Sequence, residues 1–153
     1  MNLDAGLPHT DEDYAAFVQG NAHTYLPKFH SYGATPSGFH AGWNWAAFFF
    51  SFWWFLYRKM YMWAAIAFVT LWLPYFNLLV IIGWAIAANY LYFKHTNEKI
   101  SELKSYHGQN YVNYLRSFGG VNSWVPWVAL LVCGGMLLLL LLGIFGFALL
   151  ASA

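Results

Sequence analysis

Charge is what this sequence has least of. Charged side chains make up 8% of its 153 residues, against about a quarter in ordinary soluble domains. Between Trp43 and Phe93 there is no Asp, Glu or His, and from Trp124 to Ala153 there is no charged side chain at all. A general base cannot sit in a stretch that contains none, which argues against hydrolytic chemistry in either apolar run. Cysteine is almost missing too. Cys133 stands alone in an apolar run, so an internal disulfide is excluded and the redox compartment cannot be read from it. A net charge of +1 offers no basic face for nucleic acid. The leader, residues 1–42, lacks the basic-then-apolar order of a secretory signal.

What the chain has instead is apolar and aromatic: 60% of its residues are hydrophobic, and Phe, Trp and Tyr make up 22% of the whole chain. A helix needs about 20 apolar residues to cross a hydrocarbon core. Residues 43–93 leave room for two crossings and 124–153 for a third. The seven basic residues, Lys28, Arg58, Lys59, Lys94, Lys99, Lys104 and Arg116, all precede Gly119. Basic residues near spans favour the cytoplasmic side. With both the leader and the 94–116 loop cytoplasmic, two crossings separate them, and the last run leaves the C-terminus outside.

Four regions follow. Residues 1–42 are a polar cytoplasmic leader: Thr10 with Asp11, Glu12 and Asp13 reads as a capped helix start, Tyr14, Phe17, Val18 and Asn21 follow with helical spacing, and Pro27 is expected to end the helix near Tyr25. Ser31 to Gly42 reads as a linker. Residues 43–93 hold an aromatic segment, Trp43–Tyr57, and a transmembrane hairpin. The aromatic segment is short for a span and ends in two cations, so it reads as an interfacial or re-entrant helix. The rival reading joins Trp53 to Leu73 as one span in which Arg58 and Lys59 snorkel. A turn is expected at Pro74, with Asn77 capping the returning helix. Residues 94–123 carry two cytoplasmic amphipathic helices: Ile100, Leu103 and His107 share a face of the first, Lys94 and Glu98 pair four apart on it, and Gly108 stops it. Tyr111, Tyr114, Leu115 and Phe118 form a stripe on the second, which ends at Gly119-Gly120. Residues 124–153, opened by a Ser123 cap, are the C-terminal span.

Candidate site residues are weighed by what their chemistry needs. His23, His30, His40, His95 and His107 would share one side of the membrane, but none has the i,i+3 or i,i+4 spacing that sets two ligands on one helical face, so no metal or other cofactor is expected. A Ser nucleophile at Ser51 or Ser123 would lack a base. No enzyme is expected. Gly83 and Ala87, with Ala85 and Ala88, form a small-residue face suited to helix packing against Ala64, Ala65 and Ala67. Asn77 and Asn89 read as bonding within the hairpin or sitting at a headgroup boundary; the sharper alternative is a polar path lined by them. Arg58, Lys59 and Lys94 read as topology anchors, or as contacts to anionic headgroups or to an acidic partner. Trp43, Trp45, Tyr111 and Tyr114 are the aromatic residues expected to meet lipid or partner.

Four strings go further. Tyr25-Leu26-Pro27-Lys28-Phe29, Trp43-Asn44-Trp45-Ala46-Ala47-Phe48-Phe49-Phe50, Phe55-Leu56-Tyr57-Arg58-Lys59-Met60-Tyr61 and Asn89-Tyr90-Leu91-Tyr92-Phe93-Lys94-His95 occur in this order. Together, over roughly residues 20–125, they resemble a widespread family of small bacterial inner-membrane proteins classed as a domain of unknown function. The resemblance implies a membrane location and an architecture, and no activity. Where that family often has Gly-Pro after the Phe run, this chain has Ser51-Phe52, which favours a more continuous helix.

The expectation is an all-α integral membrane protein with three transmembrane helices, an aromatic interfacial or re-entrant helix and a small cytoplasmic helical cap, in a bacterial inner membrane. The expected role is a non-catalytic accessory or scaffolding subunit of a larger membrane assembly, in contact with membrane lipids. The alternatives are a homo-oligomeric channel or small-solute transporter, and a metal- or haem-binding membrane protein.

Overall fold

The structure, a computed structural model, describes residues 6–35, 38–73 and 75–152. It is all-helical over these residues, in the order α1 (Asp11–Val18), α2 (Ala22–Ala34), α3 (Trp45–Phe50), α4 (Phe52–Tyr57), α5 (Tyr61–Thr70), α6 (Asn77–His107), α7 (Tyr111–Phe118) and α8 (Val125–Ser152), with one-turn 3₁₀ segments at Gln19–Asn21 and Gly108–Asn110. The chain divides into two compact units, one running through Val121 and one from Asn122 onward.

α1 starts where the sequence places it. The Asp13 amide donates to Thr10 Oγ1 at 3.3 Å and the Thr10 amide donates back to Asp13 Oδ2 at 3.2 Å, a reciprocal capping box. Its end differs from expectation. Gln19 takes a φ of 61° and stops α1 at Val18, and the helix resumes as α2 with Pro27 inside it. Pro27 lacks the amide that would bond to the His23 carbonyl, so α2 forgoes one backbone bond. Burial of Tyr25, Phe29 and Tyr32 from the same helix offsets that loss. The linker accordingly begins after Ala34 rather than at Ser31.

The aromatic segment is broken, not continuous. Ser51 sits at φ 44° and ψ −117° between α3 and α4, a backbone region that non-glycine residues seldom adopt. α4 and α5 then reverse direction around Arg58-Lys59-Met60, where Lys59 has φ 59° and the Met60 amide donates to the Phe55 carbonyl at 2.9 Å. The turn expected at Pro74 falls on a residue outside the described ones. On either side of it, α5 closes with the Leu73 amide on the Thr70 carbonyl at 3.2 Å, and α6 begins at Asn77.

α6 is the backbone of the first unit. Its 31 residues make a rod of about 46 Å at 1.5 Å per residue. Its N-terminal half packs on α3 and α5, and its C-terminal half on α1, α2 and α7. The core between them is aromatic: Tyr14, Phe29, Phe55 and Tyr92 are each fully buried. The Tyr25 and Tyr92 rings meet edge-on at 4.9 Å, and Phe29 packs 5.2 Å from Phe93. Edge-to-face contacts such as that of Tyr25 with Tyr92 add about 0.5–1.5 kcal/mol each beyond area burial. The expected stripe of α7 narrows to Leu115, which is fully buried, whereas Phe118 and Tyr114 remain exposed.

Gly119-Gly120 does more than stop α7. A Cβ on Gly119 would lie 2.2 Å from the Phe17 carbonyl oxygen, and the Gly120 amide donates to that same oxygen at 2.7 Å. Only a residue without a side chain lets the end of α7 press against the backbone of α1.

The second unit is α8. It is apolar on every side and carries no charge, and nearly all of its described residues are exposed, Val125 and Ala129 being the buried ones. A core helix of a soluble protein would be mostly covered. Two helices, α6 with its continuation and α8, are long and apolar enough to cross a membrane.

Candidate functional site

Three clusters in the first unit hold Asp13, Asn44, Arg58 and Asn89, four of its buried polar residues. The first joins the Trp43-Asn44-Trp45 string to α6. Asn44 Oδ1 caps α3 by accepting from the Ala47 amide at 3.0 Å, and Asn44 Nδ2 donates to Asn89 Oδ1 at 2.9 Å. Asn89 Nδ2 in turn donates to the carbonyls of Trp43 at 3.2 Å and Gly42 at 3.4 Å. The Gly42 and Asn44 amides donate to the Ile86 and Ala85 carbonyls of α6 at 3.1 and 2.9 Å. Both amides are thus satisfied inside the protein, and the extended segment is stitched along the helix.

The second cluster centres on Asp13. Its carboxylate accepts from Lys104 Nζ at 2.6 Å, Thr10 Oγ1 at 2.8 Å and the Tyr111 hydroxyl at 2.9 Å. One buried side chain therefore ties α1 to α6 and α7. Burial alone would push its pKa up; the hydrogen bonds from Lys104, Thr10 and Tyr111 outweigh that and hold the carboxyl below its ordinary value. Nearby, the Tyr14 hydroxyl donates to Asn97 Oδ1, and burial raises the Tyr14 pKa. His9 Nε2 lies 3.2 Å from the Asn97 carbonyl and 3.1 Å from Ser101 Oγ; its burial disfavours the imidazolium and lowers its pKa.

The third cluster is a cation in an aromatic cage. Arg58 is only 5% exposed. Its guanidinium carbon lies 4.5 Å from the Tyr25 ring centre, 5.0 Å from Tyr92 and 5.7 Å from Tyr57. Nε and Nη1 are buried without a hydrogen-bond partner. The ion pairs among the described residues are His30–Asp11, Lys99–Glu102 and Lys104–Asp13, and none includes Arg58. Removing a guanidinium from water costs several kcal/mol, while each cation–π contact returns about 0.5–2 kcal/mol. The rings alone do not balance the burial.

These positions revise the sequence reading residue by residue. Arg58 does not face outward to headgroups; it is inside, because the turn after α4 folds it back between α2 and α6. Lys59 Nζ is held by the carbonyls of Gly119 at 2.5 Å and Ser117 at 3.2 Å, which ties the α4–α5 turn to the end of α7. Lys94 is exposed, and the ion pair on that stretch of α6 is Lys99–Glu102 rather than Lys94–Glu98. Trp43 and Trp45 are exposed and packed edge-on at 5.2 Å. Tyr111 holds Asp13, whereas Tyr114 stacks on His107 at 3.5 Å.

The packing face of α6 is Ala85 and Ala88, both fully buried. Gly83 is exposed with open space around it, and Ala87 is only half-buried. On α5 the covered residues are Ala64 and Ala67, while Ala65 is exposed. Asn77 is exposed at the hairpin tip and does not cap α6; turned so that its amide nitrogen meets acceptors, it donates to the Leu73 and Leu71 carbonyls at 2.7 and 2.8 Å. Asn89 bonds to the segment before α3 instead of within the hairpin.

Sequence reasoning missed the double duty of Asp13, the Asn44–Asn89 pair and the burial of Thr96. Asp13 had a visible signal, the capping box, but its second partner lies 91 residues away in Lys104. Among the described residues no group of three or more His, Cys, Asp or Glu comes together in a way that could hold a metal ion. No family model, curated protein or solved structure matches the chain.

Proposed function

We propose that the protein is a non-catalytic accessory or scaffolding subunit of a larger bacterial inner-membrane assembly. The observation that carries this reading is where its polar groups go. The Asn44–Asn89 pair, the Asp13 hub and the Lys59 contacts all join one helix to another, while the outer faces of α3 and α5 are aromatic and apolar: Trp45, Phe49, Phe50, Met62 and Phe68 are exposed. A rigid interior with a sticky aromatic exterior suits a part that is held against something else.

In this reading three helices cross the membrane, with the N-terminus cytoplasmic and the C-terminus periplasmic, as the basic residues before Gly119 favour. The ten residues of α5 cover only about 15 Å, so the α5–α6 hairpin reaches the far headgroups through its tip. Trp72, Tyr75 and Phe76 at that tip are well exposed, as an aromatic belt requires. α3 and α4 form the interfacial element, and α1, α2 and α7 with the C-terminal half of α6 form the cytoplasmic cap. The engaged amide of Asn89 favours a scaffold over a channel, because it leaves that position no free polar group to line a path.

A photo-crosslinking residue placed at Trp45 or Phe49, in the native host, tests the reading. It should yield one discrete crosslinked protein from each position, with the same partner. Crosslinks only to lipid, or only to a second copy of the chain, would count against an accessory subunit.

A further inference from the structure

We propose that the α5–α6 hairpin thins the bilayer around it, drawing the two headgroup layers to about 20 Å of hydrocarbon where a relaxed membrane has about 30 Å. The inference rests on the topology proposed above, in which this hairpin crosses. Its near boundary is fixed by charge. Lys59 stands in the α4–α5 turn with Nζ held by the Gly119 and Ser117 carbonyls, and Lys94 is exposed on α6. Neither cation is at home in hydrocarbon, and no charged side chain lies between them. From Phe93 back to Asn77, α6 covers about 25 Å at 1.5 Å per residue. The other leg is shorter. The ten residues of α5 cover about 15 Å, and the chain after them curls instead of extending. The Trp72 and Leu73 amides donate to the Val69 and Thr70 carbonyls, both at 3.2 Å. With that turn the leg reaches about 20 Å.

The legs are fastened to each other, so neither slides to add length. Trp84 Nε1 of α6 donates to Thr70 Oγ1 of α5 at 3.0 Å, and Thr70 Oγ1 donates to the Ala67 carbonyl at 2.9 Å. The Trp63 and Trp84 rings also meet edge-on at 6.2 Å. The tip suits a headgroup boundary better than the bilayer centre: Trp72 and Tyr75 are strongly exposed there, and indole and phenol rings prefer that depth. With cations at one surface and these rings at the other, a shortfall of about 10 Å is left for the bilayer to take up. α8 makes no such demand. Its 28 residues cover about 42 Å, and a helix longer than the hydrocarbon adjusts by tilting.

Two measurements on the full chain test the proposal. In the first, Tyr75→Cys, in a chain whose Cys133 is replaced by Ala, meets a membrane-impermeant maleimide added from the periplasmic side of host cells. Labelling is expected. A tip that does not react overturns the crossing, and the thinning with it. Phe76→Cys takes its place should that variant not accumulate. In the second, the purified protein is reconstituted into vesicles of dimyristoleoyl-, dioleoyl- or dierucoylphosphatidylcholine, which share a headgroup and differ in chain length, and is unfolded with denaturant. The folded-to-unfolded ratio should be highest in the shortest lipid and fall about tenfold or more toward the longest. A tip that labels, in a protein whose stability is equal in all three lipids or greatest in the thicker ones, overturns the thinning and leaves the crossing intact.

Discussion

Lys104 and Arg58 are both drawn into the first unit, and they are treated in opposite ways. Lys104 meets the carboxylate of Asp13 at 2.6 Å, and the same carboxylate also takes up Thr10 and Tyr111. Arg58 meets three tyrosine rings and no acid. The first arrangement is a closed hydrogen-bond network that locks α1 to α6 and α7. The second is an aromatic cage around a cation that forms none of the ion pairs among the described residues. The contrast teaches that a buried charge in this protein is not one kind of object: one is neutralised by a carboxylate that ties three helices together, the other is covered by aromatic rings.

Substitutions can break the contrast, and the largest effect belongs to the closed network. Asp13→Ala removes the acceptor of three side-chain bonds and leaves Lys104 partly buried without its anion. A loss of about 3 kcal/mol is expected, read by thermal or denaturant unfolding of the purified protein in detergent. Next comes the backbone contact beside it. Gly119→Ala places a Cβ 2.2 Å from the Phe17 carbonyl oxygen, and forcing α7 off α1 should cost about 1–3 kcal/mol, again by unfolding. Asn89→Ala strips Asn44 of its partner and frees the segment before α3, for about 1–2 kcal/mol. Hydrogen exchange there should identify the Gly42 and Asn44 amides as the ones that open.

The pH dependence of stability separates the two charges without mutation. Asp13 has a folded-state pKa below its unfolded value near 3.8. Its contribution is therefore fully present above that unfolded value and is lost as pH falls through the lower folded value. Unfolding followed from neutral pH downward should show stability dropping below about pH 4, and Asp13→Asn should flatten that part of the curve. Arg58→Met is the smallest expected change. With no acid left behind, exchanging the cation for an apolar side chain should alter stability by less than about 1 kcal/mol, or raise it. A loss as large as that of Asp13→Ala would erase the distinction between the clusters.

Much of the helical layout was legible in the sequence because it rests on local chemistry. Thr10 and Asp13 announce the start of α1, Gly108 the end of α6, and the uncharged run after Trp124 the last helix. What local chemistry could not give was decided by contacts between distant segments. Pro27 reads as a stop, yet the burial of Tyr25 and Phe29 around it keeps α2 going. Ser51 gives no local reason to break a helix, and the break exists where α3 settles on α6 through the Asn44–Asn89 bond. The small residues of α6 offer more than one face, and the pattern alone does not say that Ala85 and Ala88 are covered while Gly83 is open. Arg58 is the clearest case. A dibasic step in an apolar run reads as an anchor at the surface, and only the fold shows one member turned inward and the other bound to Gly119.

The role proposed for this chain is service to a larger membrane assembly. The most direct test is gentle native purification from the host membrane with quantitative mass spectrometry of what accompanies it. Stoichiometric recovery with one defined complex is the predicted result, and a uniform preparation of this chain alone would contradict it.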